Sequence, residues 1–202
     1  MSPQVTVATL LVGGAARLLE LPAHGFRTIV ADPPWDYRDG LGRGANYTKR
    51  GAEAHYALLT ADGVVSLPVG RLAYVNAHLY LWTTNAFMVQ AHGVAASWGF
   101  EVKTILTWVK KGIGMGHHFR NNTEHVLFGT RGTLALRRRD VPTAFHAPRR
   151  AHSEKPLEFF ALVESVSPGP YLELFGRHAR PGWTVWGNEA GKLASQLMLV
   201  KP

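Results

Sequence analysis

Residues 29–51 read IVADPPWDYRDGLGRGANYTKRG, an apolar strand that turns into a glycine-rich basic loop. Asp32, Pro33, Pro34 and Trp35 stand at the junction. One interpretation is structural: the prolines end the strand because they cannot donate to a sheet ladder, and Trp35 covers an edge of the core. The other is chemical, since prolines hold their carbonyl acceptors rigidly beside the carboxylate of Asp32. Acceptors placed side by side suit a ligand that carries an NH₂ group.

An aromatic amine such as adenine N6 is a poor nucleophile because its lone pair is delocalised into the ring. When acceptors hold both N–H bonds, the nitrogen can pyramidalise and direct the lone pair at an electrophile. Asp32 and the Pro33 carbonyl are predicted to supply those acceptors. Trp35 is predicted to offer a stacking face, worth about 1–3 kcal/mol, to a base outside its helical stack. The junction therefore favours alkylation of an amine.

The composition limits the classes of protein that the 202 residues fit. With 46% hydrophobic residues, the chain 1–202 is expected to form a single domain with a substantial core. Residues 1–17 lack the marks of a secretory signal, and no apolar run reaches the roughly 20 residues of a membrane helix. We expect a cytoplasmic protein without a membrane partner. The absence of cysteine excludes disulfides, thiolate zinc sites and a cysteine nucleophile.

The charge of the chain indicates a polyanionic partner. The formal net charge is +8, and arginines cluster at positions 137, 138, 139, 149 and 150. Cations that neutralise phosphates also release counterions, which favours nucleic acid, although a solvated basic surface is the alternative. Aromatic and basic residues also follow Trp35, in a pattern that fits an unpaired base and its phosphates. These residues are Tyr37, Tyr47, Lys49 and Arg50.

Alternating strand and helix patterns predict an α/β fold with a mostly parallel sheet. Strands are predicted at 28–31, 79–83, 103–109, 125–128, 171–175 and 184–186. One helix is predicted between Asn85, as a possible cap, and Trp98, where Gly99 stops it; another is opened by Pro156 and ends at Ser167. Ligands collect at the carboxyl ends of parallel strands, so we expect one crevice to serve three segments. These segments are 32–35, 176–177 and 187–189.

The four residues 32–35 resemble the D-P-P-W motif of the MT-A70 family, whose members transfer methyl from S-adenosylmethionine to adenine N6 in DNA or RNA. Later segments resemble the family in the same order, so that the resemblance covers roughly residues 28–191. They are YLWTT (80–84), WVK (108–110), NTEH (122–125), HSEKP (152–156), ELFGR (173–177) and GNE (187–189). The resemblance implies a Rossmann-like S-adenosylmethionine-dependent methyltransferase fold in permuted order, with the catalytic segment before the cofactor-binding strand.

The resemblance also implies roles for individual residues. The catalytic residues would be Asp32, Pro33, Pro34 and Trp35. The cofactor would be bound by Asp32, Lys155, Glu173, Arg177, His178, Asn188 and Glu189. Lys155 precedes a helix whose N-terminus would reinforce its attraction for the cofactor carboxylate. Arg177 is expected to pair with Glu173 or to reach the ribose.

Substrate contacts are expected from Tyr37, Tyr47, Lys49, Arg50, Asn122, Glu124, Arg138 and Arg149. Structural packing is an equally weighted interpretation of Glu124. No metal is expected, because methyl transfer from a sulfonium needs none and the histidines at 117, 118 and 125 match no zinc spacing. Gly14 is a departure, since some relatives hold the cofactor adenine with an acid there; Glu189 is a milder one, where an amide is common.

The function predicted from the sequence is an adenine-N6 methyltransferase that acts on DNA. DNA is preferred because the chain is compact and carries no appended RNA-binding module. An RNA methyltransferase is the alternative within the same chemistry. A third hypothesis is a catalytically inactive scaffold that binds nucleic acid beside an active partner, but the intact segment 32–35 favours activity. A homodimer and a paralogous partner are both compatible with the sequence.

Overall fold

A computed structural model describes residues 18–36, 59–114, 118–148 and 154–187. Strands and helices follow one another along these ranges. In chain order they are β1 (Phe26–Ala31), α1 (Ala61–Val65), α2 (Val69–Leu72), β2 (Ala73–Thr83), a 3₁₀ turn (Asn85–Phe87), α3 (Met88–Ser97), β3 (Glu101–Lys110), β4 (Thr123–Arg131), β5 (Ala144–Ala147), α4 (Leu157–Val166), β6 (Tyr171–Leu174) and β7 (Trp183–Trp186). None of the described helices has the length and apolar character needed to span a bilayer.

The strands form one sheet in the order β5-β3-β4-β2-β1-β6-β7. Among the described strands only β4 runs against the rest, pairing antiparallel with both β2 and β3. The other neighbouring pairs are parallel. The predicted α/β fold with a mostly parallel sheet is therefore confirmed. β4 is antiparallel because it folds back on β3 as a hairpin, in which the Lys110 amide donates to the Asn122 carbonyl.

The strands that follow β1 in the sequence lie on both sides of it in the sheet. After β1 it builds the sheet through β2 toward β5, and α4 then carries it back to β6 on the opposite side of β1. Such a reversal opens a crevice at the carboxyl ends of β1 and β6, where open α/β sheets bind their ligands. Asp32 follows β1 and Glu173 lies near the end of β6, so both residues flank this crevice.

Alternating side chains give the sheet two buried faces. Ile29 and Ala31 belong to the apolar cluster that packs against α1, α2 and α3, whereas Val30 belongs to the cluster that packs against α4. The same alternation divides the side chains of β2 between the two clusters. A strand buried on both faces reads as a continuous apolar run, which explains why the centres of β1 and β2 were evident in the sequence.

Both predicted helices are present, with one correction. Pro156 caps α4, which buries Phe159 and Phe160 and ends at Ser167, and Gly99 ends α3 with a φ of +82°. Asn85 is not a cap; it starts the short 3₁₀ turn that precedes α3.

Candidate active site

The Asp32 carboxylate forms an ion pair at the carboxyl end of β1. Its Oδ2 lies 2.8 Å from Nζ of Lys155, the residue that precedes the Pro156 cap of α4. The Lys155 side chain is 13% exposed, whereas that of Asp32 is 33% exposed. The ion pair is therefore mostly shielded on the lysine side and reachable by a ligand on the aspartate side.

The ion pair extends into a chain of alternating charges. Glu124, near the start of β4, places Oε2 3.4 Å from Nζ of Lys155, and its Oε1 accepts a hydrogen bond from Lys110 at the end of β3. Because β4 runs against its neighbours, its first residues lie at the same sheet edge as the last residue of β3. The Lys155 ammonium lies 4.9 Å from the ring centroid of Trp82, and the Lys110 ammonium 4.6 Å from that of Trp108. These indoles supply cation–π contacts beneath both lysines.

The chain of charges acts differently on each group. Burial raises the pKa of the Asp32 carboxyl, and the nearby Lys155 ammonium opposes that rise without cancelling it. Burial would also raise the pKa of Glu124, but Lys155 and Lys110 together hold it below its usual range. Burial would lower the pKa of Lys155, yet Asp32 and Glu124 raise it. Lys155 is therefore a fixed cation, and of the two carboxylates Asp32 has the greater tendency to accept a proton.

A second carboxylate–cation pair lies across the crevice, between Glu173 of β6 and Arg180. Nε of Arg180 lies 3.6 Å from Oε2 of Glu173, and its guanidinium carbon lies 3.4 Å from the ring centroid of Phe160. Both atoms of the pair are buried, and neither has a hydrogen-bond partner within the described part of the chain. Burial raises the pKa of Glu173 to about 7, against the opposing effect of Arg180.

Gly176 and Gly187 bring the turn after β6 close to the end of β7. A Cβ on Gly176 would lie 2.9 Å from Cδ of Glu173, and one on Gly187 would collide with the Gly176 carbonyl. The preceding Phe175 has a φ of +67°, in the left-handed region that non-glycine residues seldom occupy. Only glycine at position 176 leaves room for the Glu173 side chain beside this turn.

The segment 32–36 is tied to Leu59 by its backbone. The Pro34 carbonyl accepts from the amide of Leu59, and the Asp36 amide donates to the Leu59 carbonyl. The Pro33 carbonyl accepts from the Trp35 amide at 2.9 Å. Each proline carbonyl thus already holds one backbone donor, which leaves a second lone pair on each oxygen for a ligand.

The structure contradicts the prediction that Trp35 offers a stacking face to a base. The residue is 6% exposed, its ring stacks on Phe87 at a centroid distance of 5.3 Å, and its Nε1 donates to the Trp82 carbonyl at 3.1 Å. The aromatic side chain is held in the apolar cluster because Phe87 follows β2 on the same face of the sheet. The structural interpretation of this tryptophan is the one that its packing supports.

The remaining predicted residues have mixed positions. Arg177 lies near enough to Asp32 to lower the pKa of that carboxyl. The structure pairs Glu173 with Arg180, and the two predicted roles of Arg177, a pair with Glu173 or a contact with the ribose, stay predictions. His178 is exposed on the loop after β6. The Asn122 carbonyl accepts from the Lys110 amide, which continues the hairpin beyond β3 and β4.

Arg138 is exposed and donates two hydrogen bonds to Asp140, at 2.9 and 2.8 Å. Its guanidinium is thus already paired with a carboxylate. Other predicted contacts lie outside the described residues, as do Gly14 and His117. They are Tyr37, Tyr47, Lys49, Arg50, Arg149, Asn188 and Glu189.

Two cations of the site, Arg180 and Lys110, were not predicted to pair with its carboxylates. Lys110 is part of the WVK segment, and its position at the end of a predicted strand was the available signal. Arg180 lies in a loop where nothing in the local pattern distinguishes it from Arg177. Its pairing depends on how α4 and β6 meet, which a local pattern does not contain.

Comparisons with known proteins show the family of the chain. The sequence profile of the MT-A70 family matches residues 26–189. The chain is 30% identical over 186 residues to the Type II methyltransferase M.MunI of a Mycoplasma species, covering 84% of this chain and 80% of that protein. It is 32% identical to the human N(6)-adenine-specific methyltransferase METTL4 over 191 residues, covering 83% of this chain and 38% of that protein.

The human METTL3 catalytic subunit, an N(6)-adenosine-methyltransferase, is 29% identical over 194 residues, covering 86% of this chain and 30% of that protein. The chain thus spans well under half the length of the two human relatives. The family profile nevertheless covers most of this chain, and the Mycoplasma protein matches it over most of both lengths. The chain therefore belongs to the MT-A70 family.

Proposed function

We propose that this protein transfers a methyl group from S-adenosylmethionine to N6 of adenine in DNA. The observation that carries the proposal is the ion-paired cluster of Asp32, Lys155 and Glu124 beside the carboxyl end of β1. Three segments far apart in the sequence supply these residues, and each segment belongs to the order of motifs that resembles the family. The relatives named above are methyltransferases, two of them specified by name for N6 of adenine or adenosine.

The residues of the crevice fit the polar groups of S-adenosylmethionine. Oε2 of Glu173 is a buried acceptor without a hydrogen-bond donor in the described part of the chain, and ribose hydroxyls would supply donors. Lys155 would attract the cofactor carboxylate, and Asp32 the ammonium. Gly176 leaves the turn after β6 free of a side chain that would fill this space. When bound, the cofactor supplies an electrophilic methyl group on a sulfonium.

Asp32 is assigned the contact with the target amine. The side chain is partly exposed, and Lys155 lies 2.8 Å from Oδ2, which leaves Oδ1 for an N–H of adenine N6. The second N–H is assigned to the free lone pair of the Pro33 carbonyl. As N6 bonds to carbon, one N6 proton must leave, and Asp32 is suited to accept it because burial raises the pKa of this carboxyl. Glu124 would hold the adenine edge beside it.

DNA is preferred over RNA as the substrate on the basis of the comparisons. The relative named for adenosine, a ribonucleoside, is matched over 30% of its length. The Type II methyltransferase is matched over 80% of its length, so its architecture is the better guide to this chain.

The test is a methyl-transfer assay with labelled S-adenosylmethionine and equal amounts of duplex DNA, single-stranded DNA and RNA. We expect label in N6-methyladenine of DNA, and at least a hundredfold loss of turnover, by order of magnitude, in the Asp32→Asn variant. Asp62→Asn is a matched control, because Asp62 is an exposed acid in the first turn of α1 and has no assigned role in the site. Label confined to RNA would mean that the substrate is RNA and not DNA. Nucleic-acid binding without transfer to any substrate would instead support the scaffold hypothesis.

A further inference from the structure

Arg180 and Glu173 form a pair that is buried but incompletely bonded. Their nearest charged atoms are 3.6 Å apart, beyond hydrogen-bond distance, and neither atom has a hydrogen-bond partner elsewhere in the described ranges. The central carbon of the Arg180 guanidinium lies 3.4 Å from the ring centroid of Phe160. Phe160 belongs to α4, so one helix fixes where the cation can lie.

An ion pair of this kind is poorly suited to a purely stabilising role. Removing two charges from water is costly, and the attraction between them compensates only when the remaining donors and acceptors are satisfied. Here an acceptor of Glu173 and a donor of Arg180 are both left unsatisfied. Buried polar atoms without partners are uncommon in proteins and often mark a place that a ligand completes.

The groups around Glu173 bring its pKa close to neutral pH. Burial and, to a smaller extent, the Asp32 carboxylate raise its pKa, whereas Arg180 and, more weakly, Lys155 lower it, and the resulting pKa is about 7. Asp32 follows β1, Lys155 precedes α4, and Arg180 lies in the loop between β6 and β7. Arg180 is the largest of the charge effects that favour the ionised form.

We propose that Arg180 is a positioning residue for the cofactor, which keeps Glu173 ionised and so able to accept hydrogen bonds from the ribose hydroxyls of S-adenosylmethionine. The inference rests on the proposed function, because it assumes that this cofactor occupies the crevice. A protonated Glu173 offers one donor and a weakened acceptor, so the affinity of the cofactor depends on the charge that Arg180 supplies.

The experiment measures the binding of S-adenosylhomocysteine, the demethylated cofactor, by calorimetry from about pH 6 to about pH 8.5. For the parent protein, affinity should rise with pH up to a midpoint near 7, by as much as roughly tenfold per pH unit below it, because ligand binding selects the ionised carboxylate. In Arg180→Gln the midpoint should move to higher pH, so that affinity falls several-fold at neutral pH and recovers in alkaline buffer. Arg180→Lys should restore a midpoint closer to that of the parent.

Glu173→Gln should remove this pH dependence. Lys103→Gln is the matched control, since it removes one exposed cation on β3 that pairs with Glu101 instead. A merely structural role for Arg180 predicts an equal loss of affinity at every pH. That result, or an unchanged profile in Arg180→Gln, overturns the inference and leaves the proposed function intact.

Two further outcomes keep the inference testable. If neither the parent nor any variant binds S-adenosylhomocysteine at any pH, the proposed function is contradicted, and the inference that rests on it is overturned with it. If Arg180→Gln does not fold, the parent is titrated near pH 6.5 in two buffers of different ionisation enthalpy, where binding must release protons. Binding that releases no proton overturns the inference.

Discussion

Lys155 stabilises two carboxylates at once, which makes it the residue whose loss should be most informative. Asp32 and Glu124 both lie within ion-pair distance of its ammonium, and the lysine side chain is almost fully shielded from solvent. Lys155→Met leaves two carboxylates without their shared cation in a partly desolvated site. We expect a loss of about 3–5 kcal/mol in the free energy of unfolding, measured by urea denaturation near neutral pH.

The origin of that loss can be checked with a second substitution. Adding Glu124→Gln to Lys155→Met removes one of the stranded charges, so the double variant should be more stable than the single variant. Lys155→Arg keeps the charge and should unfold close to the parent. Equal stability of the single and double variants would mean that charge repulsion is not the cause.

Trp35 provides a prediction in which structure and sequence pattern disagree. From the sequence, Trp35→Ala is expected to abolish turnover while the fold stays intact. Its burial against Phe87 instead predicts a loss of about 3–5 kcal/mol in the free energy of unfolding, the usual cost of deleting a buried aromatic side chain. Trp35→Phe keeps the ring stacking but loses the hydrogen bond to the Trp82 carbonyl, and should cost much less. If Trp35→Ala has the same free energy of unfolding as the parent, the packing role is contradicted and the stacking hypothesis is restored.

At the level of elements, a buried polar chain fixes α4 against β2. His78 is buried on β2, and its Nε2 lies 3.0 Å from the Leu134 carbonyl, which can only accept, so Nε2 carries the proton. Nδ1 must then accept from the Ser167 hydroxyl at 2.8 Å, and that hydroxyl oxygen accepts from the Tyr80 hydroxyl at 2.8 Å. One serine at the end of α4 thus satisfies two side chains of β2.

Ser167→Ala should break this chain and lower the free energy of unfolding by about 1–3 kcal/mol, because it leaves buried polar groups unpaired. Ser165→Ala is the matched control, since its hydroxyl donates to the Leu162 carbonyl of the same helix. Urea denaturation of both variants measures the difference. Similar values for the two serines would contradict the inferred chain.

The same chain should make stability sensitive to acid. Burial lowers the pKa of His78 below its value of about 6.5 in the unfolded chain. Neutral His78 therefore contributes its full stabilisation of the fold above about pH 6.5, and this stabilisation is lost as the pH falls through the lower pKa of the folded state. The parent should therefore lose more stability than His78→Gln when denaturation at about pH 7 is compared with about pH 5. Parallel losses would show that His78 is not the titrating group.

The elements were predictable where local signals were strong and missed where they were weak. Strong apolar runs and glycine or proline at the ends located most of the sheet and both longer helices. The first half of β2 was missed because Tyr74, Val75 and Asn76 are exposed or partly exposed and give no buried pattern. β5 was missed because its few residues become a strand only through pairing with β3. Short strands at a sheet edge depend on their neighbour more than on their own sequence.

At the scale of the whole molecule, the order of motifs predicted which segments meet but not which side chains pair. Asp32, Lys155 and Glu124 were each singled out, and the sheet topology brings them together. Arg177 was predicted either to pair with Glu173 or to reach the ribose, and the ion pair that Glu173 forms with Arg180, beside Phe160 of α4, was not predicted. Such pairings arise from tertiary contacts that no local pattern specifies.

The net charge of +8 should draw nucleic acid toward the molecule, but individual arginines need not contribute equally. Arg138 was predicted to contact the phosphate backbone, and it is already held by Asp140 through two hydrogen bonds. A phosphate must compete with that carboxylate. We therefore expect Arg138→Ala to weaken duplex DNA binding only slightly and to change the salt dependence by less than about one counterion.

Asp140→Asn should have the opposite effect, because it releases the Arg138 guanidinium for a phosphate. We expect tighter binding and a salt dependence steeper by up to about one counterion, measured by fluorescence anisotropy of labelled duplex DNA across a salt series. Glu101→Gln is the matched control: it also removes one exposed acid that pairs with a cation, and it changes the net charge equally. If both variants tighten binding to the same extent, only the total charge of the molecule matters. A steeper slope in Asp140→Asn alone locates a phosphate contact at Arg138, since the two proteins differ only in where the charge was removed.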